Sequence, residues 1–144
     1  VISIEWLDPI MVGGSWMPEL VQLGGGESLL AESGKHSPTV SLEDLAAIDP
    51  DVVLIKPCGF ELERTHQELE LLATRLPWST WSAVANRAVY LADGNAYFNR
   101  PGPRLVESLE ILGACIHPEA FADFRAKHSA SLQHIEADLT IRPV

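Results

Sequence analysis

Strand-like and helix-like patterns alternate along this chain. Val1–Trp6 (VISIEW) and Asp51–Lys56 (DVVLIK) are near-continuous apolar runs, and Ala88–Ala92 (AVYLA) is a third. Such runs predict strands covered on both faces. Between them the period changes to that of a helix. Leu62, Leu69, Leu72 and Leu76 share one face of Glu61–Leu76, and Leu105, Leu109, Leu112 and Ile116 share one face of Pro103–Ile116. Two shorter helices are predicted as well. Pro18–Leu23 has proline at its first position and Gly24–Gly26 as its stop, while Leu42–Ile48 is capped by Ser41 and ended by Asp49-Pro50. Ser28–Ala31 is expected to be a short strand, and Pro118–Val144, polar and weakly periodic, a helical or irregular extension.

Strands that alternate with helices predict an α/β fold: an open, mostly parallel sheet with helices on both faces. Sheets of this kind bind ligands at the carboxyl ends of their strands. The segments that follow the strands are Leu7–Met17, Ser33–Val40, Pro57–Phe60 and Asp93–Gly102. Together with Trp6 at a strand end they hold Trp6, Trp16, Phe60, Tyr97 and Phe98, half of the ten aromatic residues. Rings outside the core need something to cover them, so this rim is the expected binding face. Trp78 and Trp81, before the Ala85-Asn86-Arg87 turn, are expected to be structural.

Composition narrows the choice of partner. The chain has 144 residues, 47% of them hydrophobic, which is enough for a real core. Ten lysines and arginines face 20 acids, for a net charge of −10. That balance offers no footprint for nucleic acid and would be repelled by an anionic membrane, whereas a basic protein partner would suit it. No run is long and apolar enough to span a bilayer, and no signal peptide is present. The abrupt start on a strand leads us to expect a piece of a longer protein.

Catalytic signatures are missing. There is no GxSxG elbow, and Cys58 and Cys115 lie far apart in neither CxxC nor Cys/His spacing. GGSW and LGGGES fall outside the phosphate-loop patterns, and the latter follows a helix, where termination is the simpler role. The five histidines make no metal-ligand spacing. Only His36, in GKHSP beside the rim, is a candidate ligand contact, with a solvated loop histidine as the equal alternative. From Glu43 to Glu70 there are eight acids against Lys56 and Arg64, mostly expected on solvated helix faces. Glu43 differs, because it sits in the first turn of the helix after SGKHSPTV, near the rim and open to an external cation.

The segments EWLDPIMVGGSWMPELVQLGGGESL, GKHSPTVSLEDLAAIDPDVVLI and VYLADGNAYFNRPGPRLVESLEIL resemble, in order and spacing, the C-terminal lobe of class III ABC-transporter substrate-binding proteins. That family includes the vitamin B12 (cobalamin) and iron–siderophore receptors, and the cobalamin-binding branch is the closest in pattern. The resemblance runs over residues 1–117 and stops before 118–144. It implies one Rossmann-like lobe of a two-lobe protein, with the ligand held between this lobe and a missing N-terminal one. It further implies ligand-facing residues near Met11 and Trp16, at Ser37, and at Tyr97, Phe98, Asn99 and Arg100. Ser37 stands where a cobalamin receptor carries a tryptophan, and Asn99 where it carries an acid. Glu43 matches the glutamate with which each lobe docks onto basic pockets of the ABC permease. The implied protein is not an enzyme and has no intrinsic cofactor. Its cargo would be cobalamin or another metal chelate, and its parent periplasmic or extracytoplasmic and membrane-associated.

Ring-shaped cargo suits such a rim, because rigid aromatic faces hold it while a few polar groups set its orientation. Arg100 could pair with a ligand carboxylate or phosphate, and Asn99 could bond amide arms. Ordinary packing of Tyr97 and Phe98 onto the sheet edge is the competing expectation. Two other functions fit the same pattern: a cytoplasmic nucleotide-binding domain using the same edge, and an interaction module that dimerises through its aromatic loops.

Overall fold

Odd and even residues of each central strand go to opposite faces, and this alternation builds two cores. In the computed structural model, which describes residues 1–144, Ile2 and Ile4 of β1 (Ile2–Leu7), Val53 and Ile55 of β3 (Val53–Ile55) and Val89 and Leu91 of β4 (Val89–Ala92) face one way. They pack with Leu45 of α2 (Leu42–Ala46), Leu69 and Leu72 of α3 (Leu62–Arg75), and Ala83 and Val84 of α4 (Ser82–Ala85). Leu54, Tyr90 and Ala92 face the other way, against Met17, Leu20 and Val21 of α1 (Met17–Leu23) and Ile111 and Leu112 of α6 (Leu105–Ile116). Helices therefore cover both faces, as the apolar runs predicted.

The sheet has six strands, in the order β2 (Ile10–Val12), β1, β3, β4, β5 (Leu132–Ile135) and β6 (Ile141–Pro143). Its centre is parallel: Ile4 is in register with Ile55, and Ile55 with Leu91. Both edges are antiparallel. β2 folds back onto β1, and β5 and β6 extend the sheet beyond β4.

Residues 118–144 are thus no appended extension. After α7 (Ala122–Lys127) they supply two strands, and Leu132 and Ile135 are buried in the two cores. Ser28–Ala31 is not a strand. Both sides of β1 are already taken, by β2 and β3, and only Leu29 N–H reaches Val1 O, at 2.9 Å. The inward face of α6 is also turned from the predicted one. Ser108, Ile111, Leu112 and Cys115 are buried, whereas Leu105, Leu109 and Ile116 are half-buried. Ser108 tolerates this because its hydroxyl donates to Tyr97 O and Arg104 O. Ser41 caps α2 as expected, in a reciprocal bond with Asp44. Trp81 and Trp78 are structural, donating their indole N–H groups to Leu45 O and Ala137 O.

Candidate functional site

The carboxyl-end rim is built by loops that fasten one another. Residues 34–40 run beside β2: Val12 N–H bonds Pro38 O at 3.1 Å, Ser15 N–H bonds Lys35 O at 2.6 Å, and Val40 N–H bonds Ile10 O at 3.0 Å. Gly14 N–H donates to Ser37 Oγ at 3.1 Å, and a Cβ at Gly14 would lie 2.5 Å from Ser37 N. Ser37 is therefore a clamp on the first loop. On the far side, Asp93 caps α5 (Gly94–Tyr97) by accepting from Ala96 N–H at 2.8 Å. A side chain at Gly94 would overlap the Pro57 carbonyl oxygen, so only glycine lets α5 lie on the Pro57–Phe60 turn. Asn95 N–H then bonds Phe60 O at 3.1 Å, tying two rim loops together.

Strand alternation gives the rim two flanks. On the α3 side, Trp6 is 38% exposed and stands edge-on to Phe60, ring centroids 5.7 Å apart, with the Arg64 guanidinium 5.2 Å from the Phe60 centroid. On the α5–α6 side, the half-buried Tyr97 ring meets the Arg104 guanidinium at 5.6 Å and His128 edge-on at 5.8 Å. Arg100 is exposed and lines, with Asn95, Gly102 and Arg104, a cavity of about 520 Å³.

Between the flanks lies a buried ion pair. Lys56 is fully buried and its Nζ donates to Glu5 Oε2 at 3.0 Å. Glu5 follows Ile4 and Lys56 follows Ile55, so the parallel register makes them neighbours. Phe98 packs beside Lys56: it is 1% exposed, and its ring centroid is 5.8 Å from Lys56 Nζ. Burial lowers the Lys56 pKa, against the opposing pull of Glu5, and burial raises that of the Cys58 thiol beside it.

The predicted site residues therefore divide. Met11, Trp16, Tyr97, Asn99 and Arg100 keep partial or full exposure on the rim. Phe98 is a correction. It is 1% exposed within the α1/α6 core, its ring centroid 5.8 Å from Lys56 Nζ, whereas Tyr97, packed at the edge of the same core, stays half-buried. Ser37 accepts from Gly14 N–H through its hydroxyl oxygen, which leaves its own O–H able to donate. His36 is exposed but lines a separate cavity of about 390 Å³ with Leu30, Glu32, Lys35 and Pro38, so it does not converge with Arg100. Glu43 is exposed in the first turn of α2, as expected. Neither Trp6 nor the Glu5–Lys56 pair is among the ligand-facing residues that the resemblance implies. A lysine that ends the most apolar strand, level with a glutamate on its neighbour, was the available signal.

Comparison with known proteins gives one family. The model described as periplasmic binding protein matches residues 4–96. No curated protein sequence matches the chain. Among solved structures, the chain is similar to an ABC transporter substrate-binding protein from Listeria monocytogenes EGD-e, with TM-score 0.68 and 21% identity over 82% of this chain and 47% of that one. A periplasmic haem-binding protein from Pseudomonas aeruginosa gives TM-score 0.63 and 22% identity, over 82% of this chain and 42% of its own. The periplasmic vitamin B12 binding protein of Vibrio cholerae gives 0.59 and 23%, over 80% and 42%. The chain thus spans less than half the length of the structures it matches.

Proposed function

Because the chain belongs to the periplasmic binding protein family, we propose that it forms one lobe of the extracytoplasmic solute-binding component of an ABC importer. It binds rather than catalyses. Its carboxyl-end rim is half of a cleft, closed by a second lobe, for a bulky ring-bearing metal chelate, with cobalamin or a related corrinoid first and haem or a ferric siderophore next. The chelate is cargo, not a resident cofactor.

The observation that carries this reading is the exposed Trp6 on Phe60, on a rim that also leaves Arg100 exposed and without a carboxylate partner. Aromatic edges cover the apolar body of a macrocycle, and a free guanidinium fixes its carboxylate or phosphate arm. Met11, Trp16, Tyr97 and Asn99 complete the contact set. Glu43 docks the lobe onto a basic pocket of the permease, a role its exposed place on a capped helix suits. No helix of the chain is long and apolar enough to cross a membrane, so association with the membrane runs through that docking or through an anchor elsewhere in the parent.

The test is calorimetric titration of the two-lobed protein with cyanocobalamin, haem and a ferric siderophore. Saturable binding of one of them, weakened at least tenfold by Trp6→Ala, supports the reading. Absence of heat with all three at high micromolar concentration overturns it. For docking, Glu43→Ala lowers stimulation of the permease, and wild-type stimulation by that variant removes Glu43 from the account.

A further inference from the structure

Every lysine and arginine of this acidic chain is ion-paired to a carboxylate except Arg100, Arg125 and Arg142. Arg100 belongs to the rim. The other two line a single cavity of about 530 Å³ at the opposite end of the sheet, where the parallel strands begin. Arg87 lines it too, neutralised by Glu136, and Asp51 is the one carboxylate in its wall. Tyr90, Pro118 and Pro143 give it apolar surface.

Arg125 is the informative residue. Its guanidinium makes no hydrogen bond within the protein, and its Nε is sealed from water with no partner. A buried donor left without an acceptor is costly, and native proteins rarely leave one so. Asp51, the one carboxylate in the wall, makes no ion pair with Arg125, and the other groups beside it bring no negative charge. Burial raises the pKa of both the Tyr90 phenol and the Cys115 thiol, so both stay neutral. His134 also lines the cavity, with Nε2 committed to Arg87 O at 2.5 Å. A chain with twice as many acids as bases has nevertheless left two arginines unneutralised around one cavity.

We propose that this cavity is a second binding site, for a small organic oxyanion held by the Arg125 fork, with Arg142 as the second cation. A planar guanidinium matches the two oxygens of a carboxylate or phosphate, and such charge-assisted pairs are short and strong. The volume lies in the range of small-molecule pockets, so the anion carries an organic body that rests on Tyr90 and the two prolines. The site lies away from the rim and does not depend on the cargo proposed there.

The experiment is a titration of the isotopically labelled chain with inorganic phosphate, phenyl phosphate and benzoate, followed by amide NMR. Saturable shifts at Ala88, Tyr90 and Cys115 are expected. Phenyl phosphate or benzoate should bind at least tenfold more tightly than inorganic phosphate. Arg125→Met should weaken that binding at least tenfold and the exposed Arg142→Met about threefold. Arg75→Met, an equal loss of charge elsewhere, should change it less than twofold. No saturable shift at high millimolar concentration overturns the proposal. So does equal weakening by Arg75→Met, which would reduce the effect to net charge.

Discussion

At each end of the sheet a cation lies wholly or partly out of water, and the two are handled in opposite ways. At the carboxyl end Lys56 is wholly buried, yet Glu5 meets it at 3.0 Å and the Phe98 ring lies 5.8 Å from its Nζ. At the amino end Arg125 is half-buried, with a sealed Nε and no partner. A cation satisfied from within is architecture: it fixes how β1, β3 and the Phe98 segment sit, and offers nothing to a ligand. A cation left unsatisfied beside a cavity is a position for something from outside. The groups proposed to bind at the rim, Trp6 and Arg100, accordingly lie to either side of the Lys56 pair and not on it.

The sharpest way to break this contrast is Glu5→Ala. Removing one member of a buried pair leaves a charge in the core, at a cost of about 3–5 kcal/mol, read as a lower urea midpoint. Replacing both partners, as Glu5→Leu with Lys56→Met, should recover most of that loss. The single variant should also regain stability as the pH rises. Burial already lowers the Lys56 pKa, and loss of Glu5 lowers it further, so the unfolded chain binds more protons over the interval below the ordinary lysine value. A single variant as stable as the double would mean that the pair is solvated and Lys56 no different from Arg125.

How far the sequence reached follows the same division. The parallel centre was legible because VISIEW, DVVLIK and AVYLA are apolar on both faces, and the long helices because their leucines repeat. The far half of the sheet was not. β5 and β6 are four and three residues long and carry Gln133, His134 and Arg142, so no alternation rises above the polar background. At the rim, pattern could locate the loop that holds Tyr97 and Phe98 but not which ring turns inward. Phe98 lies against Lys56, just after a strand far away in sequence, and no local pattern connects the two. Arg125 stood in a polar tail and became informative only when β5 and β6 folded beside it.

A milder test is Arg125→Met in the absence of added anions. The removed guanidinium makes no internal hydrogen bond, so stability should be unchanged or higher, by up to about 1 kcal/mol. Thermal denaturation with phenyl phosphate then separates the forms: wild type gains stability with ligand concentration and the variant does not. A loss well beyond that size in the variant alone would give Arg125 an internal partner and erase its difference from Lys56.

The smallest effect concerns the helix that carries Arg125. α7 is moored to α6 through Glu110, which accepts from Lys127 Nζ at 2.6 Å and lies 2.7 Å from His128 Nε2. The Lys127 hydrogen bond, followed by that of His128, holds the Glu110 carboxyl below its ordinary pKa. A carboxylate depressed in the folded state adds stability above its unfolded pKa and loses it as the pH falls through the folded one. Lys127 is half exposed although Glu110 keeps little exposure, so Glu110→Gln should cost about 1 kcal/mol at neutral pH and nothing in strong acid. Hydrogen exchange, corrected for intrinsic rates, gives the local reading. Amides of α7 should lose protection on acidification before those of β1 and β3, opening the Arg125 cavity while the Lys56 pair stays shut. Simultaneous loss at both ends would show that the two cations belong to one cooperative unit, and that the amino-end cavity is as much a part of the core as the pair beside Phe98.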